Sequence, residues 1–102
     1  VVLAGCSAGG ISTIASRDWV KGLVLTHAPE TKFVGLSCSS FFLDYDFFRT
    51  AYTTRKQFIY HQANMTRVFN RECLDAYKAE GNEHKCLVAQ LSAPFSQTPL
   101  FL

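Results

Sequence analysis

With 102 residues, the chain is the size of one small domain or of a piece of a larger one. Its 48% hydrophobic and 14% aromatic content exclude a disordered tail, and a net charge of +2 argues against a basic nucleic-acid-binding domain. No apolar run approaches the ~18 residues that span a bilayer, and no basic, apolar leader of the signal-peptide kind opens the sequence.

In chain order, Val1-Val2-Leu3-Ala4 reads as a short buried strand and residues 5–10 as a tight turn. Residues 11 to about 20 read as a helix, with Ile11, Ile14, Ala15 and Trp19 near one face. Residues 22–30 read as connection, with Leu23-Val24-Leu25 able to prolong the helix. A second strand is predicted over 32–36 and a small-residue loop over 37–40, while the aromatic run 41–48 is too irregular to assign. Residues 50–69 read as mostly helical, because Phe48, Tyr52, Ile59 and Ala63, then Met65, Val68 and Phe69, recur at spacings near three and four. A further helix is predicted over 72–80, stopped by Gly81-Asn82, and a loop over 92–98 with Pro94 inside it and Pro99 after it. Pro99-Leu100-Phe101-Leu102 looks like a strand just beginning.

Strand, helix, strand, helices and strand define an α/β fold with parallel pairing. Both ends read as cut through the interior of a sheet. The expectation is therefore that residues 1–102 form the central part of one larger domain, truncated at both ends, with reduced independent stability.

The informative segment is Gly5-Cys6-Ser7-Ala8-Gly9-Gly10, which fits G-x-S-x-G directly after a predicted strand and before a predicted helix. That is the setting of a nucleophile elbow. The turn is so sharp that Ser7 must take strained backbone angles, and Gly5 and Gly9 are expected because side chains two residues either side would collide. The strain lifts the Ser7 hydroxyl clear of the sheet, and the Ala8 backbone N–H is placed to meet an oxyanion. The competing reading is a Gly-rich phosphate-binding turn, but the segment lacks a Walker lysine and the dinucleotide spacing.

A nucleophilic serine needs an acid and a histidine after it in the chain. His27, His61 and His84 are present, with Asp44, Asp46 and Asp75 among the carboxylates, and Ser7, Asp44 and His84 obey the order. The strand count argues against that triad: the acid of such a sheet follows a strand two further along than the elbow strand, which puts it past Leu102. His27 and His84 sit in polar, loop-like surroundings and read as solvated, and His61 reads as a surface or half-buried helix residue.

Four segments resemble the pectin acetylesterase/Notum family of serine carboxylesterases. They are the six-residue elbow, Phe41-Phe42-Leu43-Asp44, the cysteines Cys73 and Cys86, and Thr98-Pro99-Leu100-Phe101, in family order and across most of the chain. The resemblance implies a fragment of an α/β-hydrolase-like parallel sheet with flanking helices, no cofactor, Ser7 as nucleophile and Ala8 as one oxyanion donor. It also implies an acid and a histidine beyond Leu102, further oxyanion donors upstream of Val1, and hence no turnover by the 102 residues alone. The implied substrate is an O-acetyl ester on a pectin-like polysaccharide, with a fatty acyl group on a secreted protein as the alternative. One departure stands out. The family carries D-[AS]-G before F-F-L-D, where this chain has Cys38-Ser39-Ser40, which points to altered hydrogen bonding or to a divergent branch, even a non-catalytic binding homologue.

Cys73 and Cys86 flank a polar stretch that a disulfide would close; zinc competes as a reading, but C-x-x-C and paired histidines are lacking. Cys6 reads as a small buried residue under the elbow, and Cys38 is open. Asn64-Met65-Thr66 is a glycosylation sequon, which with the cysteine pair suggests a secreted or wall-associated protein. Arg49, Arg55, Lys56 and Arg67 read as the wet face of the 50–69 helix rather than as a pectin-binding patch, and the 41–48 aromatics serve equally as core or as pocket lining.

Overall fold

The computed structural model describes residues 1–44 and 49–102, with the backbone alone at 49–52. The expectations for Asp46 and Phe48, for the 45–48 part of the aromatic run, and for the side chains of Arg49 and Tyr52 therefore lie outside the described residues.

Three strands, β1 (Val2–Cys6), β2 (Val34–Cys38) and β3 (Leu100–Phe101), form a parallel sheet in the order β1-β2-β3. Helix α1 (Ala8–His27) connects the first two. Helices α2 (Arg49–Gln62), α3 (Arg71–Lys78) and α4 (Ala89–Ser92), with 3-10 turns at Met65–Arg67, Glu83–Leu87 and Ala93–Phe95, connect the second and third. The α/β class with parallel pairing is thus the observed one. Strands β1 and β2 both reach two residues further than the apolar pattern suggests. Their register pairs Val2 with Val34 and Cys6 with Cys38, and the Ser7 N–H closes the ladder on the Cys38 carbonyl at 2.9 Å. Ser37 and Cys38 are therefore strand, not loop.

The first strand is not buried: Val2 is 61% exposed. Side chains alternate across a sheet, and α1 packs on one face only. Val2, Ala4, Cys6, Leu36, Cys38 and Phe101 share the opposite face and are exposed.

Helix α1 runs 20 residues, beyond the predicted end near residue 20. Gly22 lies inside it, a cost of roughly 1 kcal/mol that Leu23-Val24-Leu25 outweigh. Its many hydroxyls are satisfied internally: Ser12, Thr13, Ser16 and Thr26 each donate to the carbonyl four residues back. The buried face is Gly10, Thr13, Ile14, Ala15 and Arg17. Trp19, expected on it, is 47% exposed.

The predicted 50–69 helix breaks in two. Helix α2 stops at Gln62, and Asn64 takes left-handed angles (φ 48°, ψ 54°) before the short 3-10 turn. Among its described side chains, Lys56 and Tyr60 are buried, whereas Ile59 is exposed. The Tyr60 ring stacks on Phe69 with centroids 5.8 Å apart, and this pair anchors a core with Ala15, Cys73, Leu74, Cys86 and Leu87. Lys56 is thus no wet-face residue: it is buried and pairs with Asp44 at 2.9 Å. Arg55 and Arg67 are exposed as expected.

Helix α3 starts at Arg71 because Asn70 caps it, its side-chain oxygen accepting from the amides of Glu72 (2.9 Å) and Cys73 (3.3 Å). Gly81 takes φ 65° just past its end. Cys73 and Cys86 are joined by a disulfide and buried in the core; on the chain-entropy account, a loop of this size contributes about 3 kcal/mol. The predicted 92–98 loop is partly helical, ending α4 and holding the Ala93–Phe95 turn.

Candidate active site at the strand-to-helix turn

The reversal between β1 and α1 is a single residue. Ser7 has φ 54° and ψ −119°, a left-handed conformation that non-glycine residues rarely adopt. Serine is a favoured helix cap, yet the Ser7 hydroxyl makes no capping bond to α1 and its side chain is exposed. Its backbone is held at both ends: the N–H donates to Cys38, and the carbonyl accepts from Ile11 at 3.1 Å. The turn is fixed while the hydroxyl is left open.

Ala8 is the first residue of α1, so its N–H has no carbonyl within the helix to meet. The first turn carries no acidic side chain to offset the positive end of this 20-residue helix. Negative charge forming beside Ser7 would meet free amides and an uncompensated dipole end.

Of the two glycines expected to be sterically required, Gly5 is and Gly9 is not. A β-carbon on Gly5 would overlap the Gly9 carbonyl and lie 2.8 Å from Thr13 Oγ1, so Gly5 is required. A β-carbon on Gly9 would meet nothing within 4 Å, so steric need does not explain Gly9. Gly10 is the crowded one: an added β-carbon would lie 2.5 Å from Ser40 Cβ and 2.7 Å from Ser37 Oγ. Those two serines are buried and hydrogen-bond each other, and Ser37 Oγ donates to the Gly10 carbonyl at 2.9 Å. The Cys38-Ser39-Ser40 segment, where the resembling family has D-[AS]-G, thus has a structural role: Ser37 ties β2 to the first turn of α1, and Ser40 bonds Ser37 and packs beside Gly10. Ser39 between them takes φ 51°. Cys6, expected to be buried under the turn, is exposed, as is Cys38. Its side chain lies on the sheet face away from α1.

No hydrogen bond joins Ser7 to a histidine among the described residues. His27, in the last turn of α1, is exposed with Nδ1 3.2 Å from the Leu23 carbonyl, and His61 is exposed at the end of α2. His84, expected to be solvated, is only 4% exposed. Burial lowers its pKa below the ordinary 6.5, and the charges of Lys56 and Lys85 add to the effect against those of Asp44 and Glu83. The unfolded chain would take up a proton near pH 6.5 where the folded ring resists it, so stability is complete above that pH and falls as pH drops below it. Urea midpoints should therefore fall between about pH 7.5 and about pH 5.5, and His84→Gln should flatten this slope; an unchanged slope in the variant would remove His84 as its source.

A recess of about 140 Å³ is lined by Ile11, Arg55, Lys56, Ile59 and Leu87, without Ser7 or Ala8. A roomier one of about 300 Å³, lined in part by Asp18, Trp19 and Arg71, lies eleven residues along α1, roughly 17 Å from the turn. Among the described residues, no three His, Cys, Asp or Glu side chains cluster to hold a metal, and no helix is long and apolar enough to cross a membrane.

A parallel sheet whose first strand turns through a strained, exposed serine into a helix defines the α/β-hydrolase class. The sequence matches the Pectinacetylesterase family over residues 1–102, and the chain belongs to that family. Among solved structures it is similar to two crystal forms of the Wnt deacylase Notum from Drosophila. One is 24% identical with a TM-score of 0.75, the other 22% identical with a TM-score of 0.76. Each match covers 98% of this chain and 29% of the Notum chain. At these identities the likeness is one of fold, and the chain spans under a third of the structures it resembles. No curated protein sequence matches it.

Proposed function

We propose that this chain is the nucleophile-bearing part of a serine carboxylesterase that removes O-acetyl groups from a pectin-like polysaccharide. The observation that carries the reading is Ser7 itself, held at φ 54° with an exposed hydroxyl that its own helix does not use. Ser7 Oγ attacks the ester carbonyl while a histidine takes its proton, and the Ala8 N–H meets the charge on the carbonyl oxygen. The sugar hydroxyl leaves with that proton, and water then releases acetate from the acyl-enzyme. The acid and the histidine come from the larger part of the fold that this chain does not span. The chain alone therefore turns over no ester.

The match to the Pectinacetylesterase family over residues 1–102 supports the acetyl ester. The fold likeness to Notum supports the alternative of a fatty acyl ester on a secreted protein. Secretion is supported by the Cys73–Cys86 disulfide and by the exposed Asn64, whose Oδ1 accepts from Thr66 Oγ1 at 3.2 Å in an accessible sequon.

Fluorophosphonate labelling of the full-length protein tests the reaction class. Label should appear on Ser7 and vanish in Ser7→Ala; equal labelling of the two would rule Ser7 out, and no labelling of either would favour a non-catalytic homologue. Acetate release from acetylated pectin, set against acyl release from a palmitoylated peptide, separates the two substrates.

A further inference from the structure

Two cysteines remain outside the disulfide, and they are not independent of each other. Cys6 and Cys38 are direct partners in the β1–β2 register, both thiols exposed. In-register neighbours on parallel strands project to the same face, and strand spacing is about 4.8 Å. A disulfide spans Cα separations of roughly 4.4–6.8 Å. The Ser7 N–H bond to the Cys38 carbonyl holds this end of the ladder closed, so the two sulfurs cannot drift apart by fraying. Cys38 Sγ also lies 3.7 Å from Ser39 Oγ, a hydroxyl able to donate to a thiolate.

We propose that Cys6 and Cys38 form a second, reversible disulfide that clamps the strand ends supporting Ser7. The oxidant is a small-molecule disulfide of the glutathione type. One cysteine thiolate attacks it and releases one thiol; the other cysteine then attacks the mixed disulfide and releases the second. One Sγ–Sγ bond forms in the protein, one disulfide bond breaks in the reagent, and the two thiol hydrogens pass to the two released thiols. The new bond would join the ends of β1 and β2, apart from the buried Cys73–Cys86 bond. It stands immediately before Ser7 in the chain, so its state alters how rigidly the turn is held. The proposal does not rest on the esterase reading, because its readout is the state of the thiols.

The sequence makes the test direct. Trypsin leaves Cys6 on the peptide ending at Arg17, Cys38 on peptide 33–49, Cys73 on peptide 72–78 and Cys86 on the peptide that follows Lys85. The full-length protein is incubated in oxidised glutathione, its remaining thiols are blocked with iodoacetamide, and the digest is mapped without reduction. The expected result is a linked Cys6–Cys38 peptide pair two hydrogens lighter than the sum of its parts, lost once dithiothreitol is added. Cys6→Ser should leave Cys38 alkylated or glutathionylated, and Cys38→Ser the reverse. Alkylation of both thiols in the oxidised wild type, stable glutathione adducts on them, or pairing of either with another cysteine would overturn the proposal. If a variant fails to fold, the wild-type map decides alone.

Discussion

Gly5→Ala should lose fluorophosphonate labelling and about 3 kcal/mol of stability, whereas Gly9→Ala should stay close to wild type in both. The first substitution drives a β-carbon into the Gly9 carbonyl and to 2.8 Å from Thr13 Oγ1. Overpacking a core commonly costs ~1–3 kcal/mol, with side chains moving to share the strain. Here the struck atom is backbone in the first turn of α1, so relief means moving the turn that carries Ser7. The second substitution meets open space, and replacing a helical glycine gives back a few tenths to ~1 kcal/mol. Urea unfolding and labelling of the two variants side by side check this. Equal behaviour would mean that the tight approach of Gly5 to α1 does not hold the turn.

Asp18→Ala should cost about 2–3 kcal/mol at neutral pH, although Asp18 is neither apolar nor fully buried. Its carboxylate accepts from Thr98 Oγ1 at 2.5 Å, Asn70 Nδ2 at 2.9 Å and Ser96 Oγ at 3.4 Å. Asn70 Nδ2 also donates to the Phe95 carbonyl at 2.8 Å, and Ser96 Oγ accepts from Arg17 Nε at 2.6 Å. One carboxylate thus joins α1, the cap of α3 and the lead-in to β3. Removing it leaves the Arg17 guanidinium, only 2% exposed, without its neighbouring charge. Hydrogen bonds to charged groups are worth ~1.5–3 kcal/mol each, and partial exposure of Asp18 reduces the total. Burial by itself would raise the Asp18 pKa, but the bonds from Thr98 and Asn70, the Arg17 charge and the Gln97 backbone together bring it below the ordinary 3.8. A depressed carboxyl pKa contributes stability above the unfolded value and loses it as pH falls through the folded one. The gap between wild type and Asp18→Asn should therefore be widest at neutral pH and narrow as pH falls below the ordinary 3.8. A pH-independent gap would assign the effect to packing.

The turn was legible because its signal is local: small residues at fixed offsets between an apolar run and a helical pattern. The partners of that turn were not. Periodicity counts apolar residues, so it assigned Trp19 and Ile59 to buried faces and missed the buried Arg17, Lys56 and His84; Arg17 and Lys56 are paired with Ser96 and Asp44, distant in sequence. It also ended β2 at Leu36, since buried Ser37 and exposed Cys38 read as loop. Their strand state comes from pairing with β1, and the role of Ser40 comes from its contact with Gly10 some 30 residues earlier in the chain. Asn64 broke a helix that the apolar spacing ran straight through. The Cys73–Cys86 bond was legible because its two residues bracket one short polar stretch.

The Asp18–Thr98 bond spans 80 positions of the chain, and that sets an order of events at the ribosome. At ~5–20 residues per second, Asp18 is made roughly 4–16 seconds before Thr98. During that interval α1 can form, but Arg17 has neither Ser96 nor the lead-in to β3 to shelter it. Helix α1 can therefore pack on β1 and β2 early, but gains its Arg17–Ser96 and Asp18–Thr98 bonds only once residue 98 has been made.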